Sequence, residues 1–132
     1  MLTKVLTSAV LGIEGLLVEV EVDVSGGIPA FAIVGLPSEE VKESRDRVRA
    51  ALKNSGLEFP ARRIVVNLAP ATVRKEGASF DLPIAVGIVI ASGQVIAPRI
   101  RDHLVIGELS FCLLYTSDAA DEGLGVDLGG RR

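Results

Sequence analysis

The 132-residue sequence has one cysteine, one histidine, one tyrosine and no tryptophan. A lone Cys112 excludes an internal disulfide framework, and with His103 as the only histidine no zinc-ligand set of ordinary spacing can be drawn. Aromatic residues make up 4%, so a core has to be built from Val, Ile, Leu and Ala. No apolar run approaches the roughly 20 residues that span a bilayer. The opening MLTKVLTSAVLGIEG has a lysine followed by apolar residues, as a short leader would. It lacks a small-residue cleavage site and runs straight into a strand pattern, so the expected location is cytoplasmic, with no membrane partner. A phosphate-cradling G-x-x-x-x-G-K-[ST] loop is also missing. Neither Gly26-Gly27 nor Gly129-Gly130 leads into the required lysine, so no ATP site and no cofactor are expected in this chain.

What is present reads as a folded α/β chain, 48% hydrophobic and 23% charged. Residues 3–11 form an apolar, β-rich run. Val18, Val20, Val22 and Val24 alternate with Glu19, Glu21 and Asp23, which predicts a strand with one wet face. Ala30 to Val34 is a short apolar strand closed by Gly35-Leu36-Pro37. Ser38 is placed to cap a helix with Glu39 and Glu40 in its first turn. Val41, Ser44, Val48, Ala51 and Leu52 recur at helical spacing, Glu43 and Arg47 stand four apart, and Gly56 ends the helix. Residues 63–68 predict another strand and 71–80 a polar loop. Asp81 is placed to cap a second helix that is apolar on nearly every side and ends at Gly93, so it should be buried. Residues 103–109 predict a last strand. The expected architecture is one α/β domain, α+β in two layers, with helices packed on a mixed sheet.

Two long segments carry a resemblance. The first runs from Val34-Gly35-Leu36-Pro37 through Glu43-Ser44-Arg45-Asp46-Arg47-Val48-Arg49-Ala50-Ala51 to Lys53-Asn54-Ser55-Gly56. The second runs from Val66-Asn67-Leu68-Ala69-Pro70-Ala71 through Arg74-Lys75-Glu76-Gly77 to Phe80-Asp81-Leu82-Pro83-Ile84-Ala85. Together with Leu11-Gly12-Ile13-Glu14-Gly15 and Ile106-Gly107-Glu108-Leu109-Ser110, they resemble the N-terminal domain of the magnesium-chelatase-like ATPases of the YifB/ComM family. The resemblance implies the fold of the second domain of ribosomal protein S5, shared with the C-terminal domain of Lon-type proteases. It also implies a following AAA+ module in cis, absent here, that takes ATP and Mg, assembles as a homo-hexamer and drives branch migration on DNA during natural transformation. On that reading residues 1–111 are an incomplete N-terminal domain and no enzyme by themselves.

From Cys112 the pattern of the family stops. The codons TGT CTC TTA TAC ACA TCT GAC GCT GCC GAC of a sequencing-library adapter translate to Cys112 through Asp121, and its continuation GTA GAT CTC GGT GGT CGC CGT gives Val126 through Arg132. Residues 112–132 are therefore read as a non-native, adapter-derived tail. The tail holds Arg131 and Arg132 against Asp118, Asp121, Glu122 and Asp127, so most of the net charge of -3 lies in it. A domain cut short after Ser110 would leave Leu104 and Ile106 uncovered, and marginal stability is the expectation.

Four positions stand out as candidates. Lys42, Arg45, Arg47, Arg49, Lys53, Arg62, Arg63, Arg74 and Lys75 far outnumber Glu43, Asp46 and Glu58 within one stretch. Such an excess can meet phosphates, with Arg62, Arg63, Arg74 and Lys75 as the foremost contacts, or simply coat a solvated face or a subunit contact. Ser79 follows Lys75-Glu76-Gly77-Ala78 and is similar to the Lon segment that holds a Ser-Lys nucleophile; a serine hydroxyl needs a base within reach. The bland alternative makes Ser79 and Asp81 competing helix caps. His103 and the Glu19, Glu21 and Asp23 carboxylates are read as structural and solvated.

Overall fold

Strict alternation along one strand organises the molecule. Val18, Val20, Val22 and Val24 are buried while Glu19, Glu21 and Asp23 face the other way, as a period of two requires. The structure, a computed structural model, describes residues 1–11 and 13–111. The proposed adapter tail lies outside the described residues. Four strands, β1 (Leu2–Leu11), β2 (Glu14–Ser25), β3 (Ala30–Val34) and β4 (Arg63–Ala69), form one mixed sheet in the order β1-β2-β4-β3. β2 is antiparallel to both β1 and β4, and β3 runs parallel to β4. One face of the sheet carries helices α1 (Glu39–Lys42), α2 (Ser44–Asn54) and α3 (Asp81–Ala91), which gives the expected two-layer α+β architecture.

Between the layers lie Val5, the four β2 valines, Ile64, Val66 and Leu68 from the sheet, and Val48, Leu52, Ile84 and Ile88 from the helices. Each such side chain contributes roughly 1.5–3 kcal/mol of burial. α3 comes closest to the sheet at Gly87, where an added Cβ would meet Val22 side-chain carbons. On the opposite, open face Lys4 pairs with Glu21 at 3.9 Å and Asn67 donates to Glu21 at 2.9 Å. The β1–β2 hairpin outruns the sheet: β4 begins to pair at Glu19, so Glu14 to Val18 pair with β1 alone.

Both long helices end as their glycines predict. Gly56 has φ 84° and Gly93 φ 85°, the left-handed geometry that glycine adopts without penalty. At each end two amides fold back on the last turn: Gly56 to Lys53 and Leu57 to Leu52, then Gly93 to Ile90 and Gln94 to Val89.

Three expectations need correction. The first helix is interrupted at Glu43, where the Asp46 amide donates to Glu43 at 3.1 Å and the Arg47 guanidinium takes the Glu40 carbonyl at 3.2 Å. Residues 103–109 do not form a strand. After a single tight turn at Ile100–Asp102 the chain touches the β1 edge only at Leu6, to which Val105 donates at 2.8 Å. It then crosses to the start of α3, where Leu82 donates to Gly107 at 3.0 Å and Gly107 to Ser79 at 3.2 Å, so its peptide groups are satisfied by a helix end and not by a sheet. Asp81 does not cap α3 either, because Phe80 occupies that position without a side-chain cap.

Thr7 is fully buried under the helices, and its hydroxyl is the one buried side-chain polar atom without a partner among the described residues. An unmade buried hydrogen bond costs about 1–3 kcal/mol. Thr7→Val keeps the shape and removes the hydroxyl, so the variant should gain about 1 kcal/mol or more in urea unfolding. An unchanged or lowered midpoint would show that the hydroxyl is satisfied.

Candidate functional site

Among the described residues, two charged side chains lie wholly inside the molecule. Asp81, at the first position of α3, is 0% exposed. Its carboxylate accepts from Arg47 Nε at 2.6 Å and Arg47 Nη2 at 3.1 Å, from the Leu109 amide at 3.1 Å, and from the Ser44 hydroxyl. The planar guanidinium matches a carboxylate with two parallel bonds, and the N-terminus of α3 adds its own attraction for an anion. The hydrogen bond that Arg47 donates to Asp81 raises the Arg47 pKa above its ordinary value, against the opposing effect of burial. Arg47 also reaches Glu43 at 3.5 Å, which confirms the pair read from the sequence. Thus α2, α3 and the 107–109 segment meet on a single carboxylate.

Lys75 is the other buried charge. Its Nζ donates to the Gly35 carbonyl at 3.0 Å and to the Pro70 carbonyl, and its backbone bonds Leu36 at 3.0 Å and Ser38 at 2.9 Å. Gly35, at φ 102°, packs so tightly on the Leu68 backbone that a Cβ would collide there. Lys75 therefore closes the loops beyond the C-terminal ends of β3 and β4. Burial lowers its pKa from the usual 10.5.

These positions rearrange the sequence-based patch. Lys75 is internal (0% exposed) and is withdrawn from the phosphate contacts expected of it. Arg62 and Arg63 are exposed at the start of β4, whereas Arg74 is exposed past its end and pairs with Glu76 at 3.3 Å. The seven residues of β4 separate the two groups by about 20 Å at roughly 3.3 Å per residue. Arg62 and Arg63 do have neighbours: Arg49 lies 4.9 Å over the Phe59 ring, which stands 5.4 Å from Phe31 on β3. None of Arg49, Arg62 and Arg63 forms an ion pair with another described residue. Ser79 is half-buried, and the lysine four residues before it is committed to carbonyl oxygens. His103 is exposed and its Nδ1 lies 3.0 Å from the Arg99 carbonyl. No helix among the described residues is long and apolar enough to cross a membrane.

Sequence reasoning missed the Asp81 junction because its partners stand 28 to 37 residues away. The available signal was the pairing of an interior-facing Ser44 with a charged neighbour at Arg47 on a helix otherwise packed against apolar residues.

Residues 20–112 match the family described as subunit ChlI of Mg-chelatase. The chain is 49% identical over 104 residues to the protein YifB of Salmonella typhimurium, covering 79% of this chain and 21% of that protein. It is 49% identical over 109 residues to the competence protein ComM of Haemophilus influenzae, covering 83% and 21%, and 39% identical over 109 residues to a protein of Mycobacterium bovis, covering 83% and 22%. The chain thus spans about a fifth of the length of these relatives.

Two measurements check the buried charges. Arg47→Met leaves the Asp81 carboxylate without its counter-charge and should cost about 3–5 kcal/mol, more than Asp81→Asn, which keeps the shape and a neutral acceptor at about 1–3 kcal/mol. The reverse order in urea titrations would show that the carboxylate reaches solvent. Lys75→Met orphans two carbonyls and should lose about 2–4 kcal/mol near neutral pH. Because burial lowers the folded Lys75 pKa, the unfolded chain binds the extra proton between that lowered value and 10.5. Stability relative to Lys75→Met should therefore rise with pH across that window. A flat difference would mean that the ammonium is fully compensated.

Proposed function

We propose a function from one premise: this chain belongs to the magnesium-chelatase-like YifB/ComM family. It serves as a non-catalytic N-terminal accessory domain of an AAA+ ATPase whose separate module takes ATP and Mg. In the parent that module forms a homo-hexamer in the cytoplasm and moves DNA branches during the uptake of DNA, in keeping with the Haemophilus influenzae relative being a competence protein. The observation that carries the accessory reading is the use made of Lys75 and Asp81. Both buried charges are engaged in holding loops and helix ends. A nucleophile such as Ser79 needs a free base beside it, and Lys75 donates to two carbonyls.

The test separates this chain from the module it would serve. ATP with Mg should leave the melting temperature of the isolated chain unchanged, since only a ligand that binds the native state shifts it. Removing the domain from a full-length relative should leave ATP hydrolysis in place and abolish its coupling to DNA. A saturable ATP-dependent rise in the isolated chain's melting temperature would overturn the reading.

A second reading, DNA binding by the domain itself, is favoured by the exposed and unpaired Arg62 and Arg63. Their joint change to Ala should weaken binding of all DNA sequences alike and flatten its salt dependence, while Arg74→Ala should do less.

A further inference from the structure

The sheet has two margins, β1 and β3, and among the described residues β3 is the one whose outer side carries no backbone bond. At the β1 side the 104–105 segment lies against Leu6, but β3 is hydrogen-bonded only on its β4 side. The Ala30 amide donates to the Arg62 carbonyl at 3.3 Å, which sets the alternation along the strand. Ala30, Ala32 and Val34 direct their peptide groups to β4, and Phe31 and Ile33 direct theirs outward, where no described residue bonds them. Protein edges of this kind are ordinarily blunted by a lysine, a proline or a bulge. Ala30-Phe31-Ala32-Ile33-Val34 has none of these. Pro29 and Pro37 bracket it, so pairing is blocked beyond the two ends and left open between them.

Cations outnumber carboxylates around this edge, where Glu58, next to Phe59 in the chain, is an exposed acidic residue. Arg63 sits opposite Ala30 on the open face of the sheet, and Arg62 precedes it. Arg49 stands on the helix side, over the Phe59 ring beside Phe31. These three exposed cations flank the start of β3 on both faces of the sheet. The nearby Asp23 is engaged with the N-terminal ammonium at 3.8 Å. Val34 and Leu36 are exposed toward the other end, at 45% and 49%.

We infer that the β3 edge is a docking site for an extended acidic peptide, which adds as a fifth strand through the outward peptide groups of Phe31 and Ile33. Carboxylates of the peptide lie beside Arg49, Arg62 and Arg63, and an apolar side chain lies over Val34 and Leu36. Main-chain pairing supplies the affinity of such an addition, and the flanking charges select the partner.

The probe is a short fluorescein-labelled peptide of alternating valine and glutamate, titrated into the full chain. Saturable binding that weakens with salt is expected, together with slowed hydrogen exchange at the Phe31 and Ile33 amides. N-methylation of alternate peptide amides should abolish binding without altering charge. The double variant Arg62→Glu/Arg63→Glu, with both positions exposed, should bind about tenfold more weakly or worse. Unchanged exchange at Phe31 and Ile33, or equal binding of a valine-lysine peptide, would overturn the inference. So would a short single-stranded DNA that competes equally well, which would assign the cations to nucleic acid. Protection of the same amides by raising protein concentration alone would show a second copy on the edge and also defeat it.

Discussion

The arrangement of helices depends on one buried carboxylate. Asp81 takes two bonds from Arg47, one from Ser44 and one from the Leu109 amide, and so joins α2, α3 and the chain that follows them. Apolar contact alone would let α3 rotate, since nearly every face of it is hydrophobic and no stripe picks out the sheet. Removing a counter-charge from a buried ion costs several kcal/mol, so rotations that separate Asp81 from Arg47 are strongly disfavoured. Buried ion pairs generally add little net stability over an apolar substitute. This one supplies orientation, and Gly87 then fits against Val22.

Lys75 performs a similar task at the C-terminal end of β3 and β4, with carbonyl oxygens in place of a carboxylate. Its ammonium ties the Gly35 turn to the Pro70 turn, while its backbone pairs with Leu36 and Ser38 at the start of α1. Because no carboxylate repays the desolvation, its charged form is disfavoured, and the lowered pKa follows. A buried charge with a shifted pKa is often a sign of catalysis. Here two of the three ammonium donors are held by backbone carbonyls, and the shift comes from burial.

Most of the sheet could be read in the sequence because period-two alternation is a local signal. Val18 to Val24 announced their burial, and Gly56 and Gly93 announced the helix ends. What failed was everything decided at long range. Asp81 looks like a cap from its immediate neighbours, and only the fold brings Arg47 and Ser44 to it. Residues 103–109 have strand composition, but a strand needs a partner and this segment leaves β1 after Leu6. Lysine is seldom fully buried, so nothing local marks Lys75 as internal. Arg62 and Arg74 are close in sequence, and a strand between them puts them at opposite ends of the sheet. Charge counted along a chain measures density in one dimension, and a patch exists only in three.

With the interior charges committed to architecture, what the chain can offer a partner lies on its outside. The surface is unevenly prepared. The open sheet face carries Glu19, Glu21 and Asp23, moderated by Lys4 and Asn67. The hairpin beyond β4 exposes Val10 at 82%, Ile13 at 101% and Leu17 at 58%, on a two-stranded arm that β4 does not reach. Among the described residues the β3 margin carries cations without an ion pair beside peptide groups without a backbone bond. Exposed single apolar residues are ordinary, so the hairpin tip alone specifies nothing. The β3 margin differs in combining a directional hydrogen-bond pattern with an excess of positive charge. A strand edge fixes the geometry of what it binds to within a residue, because a slip of one turns every side chain to the wrong face. That requirement makes the margin, and not the larger apolar tip, the part of the surface able to distinguish one partner from another.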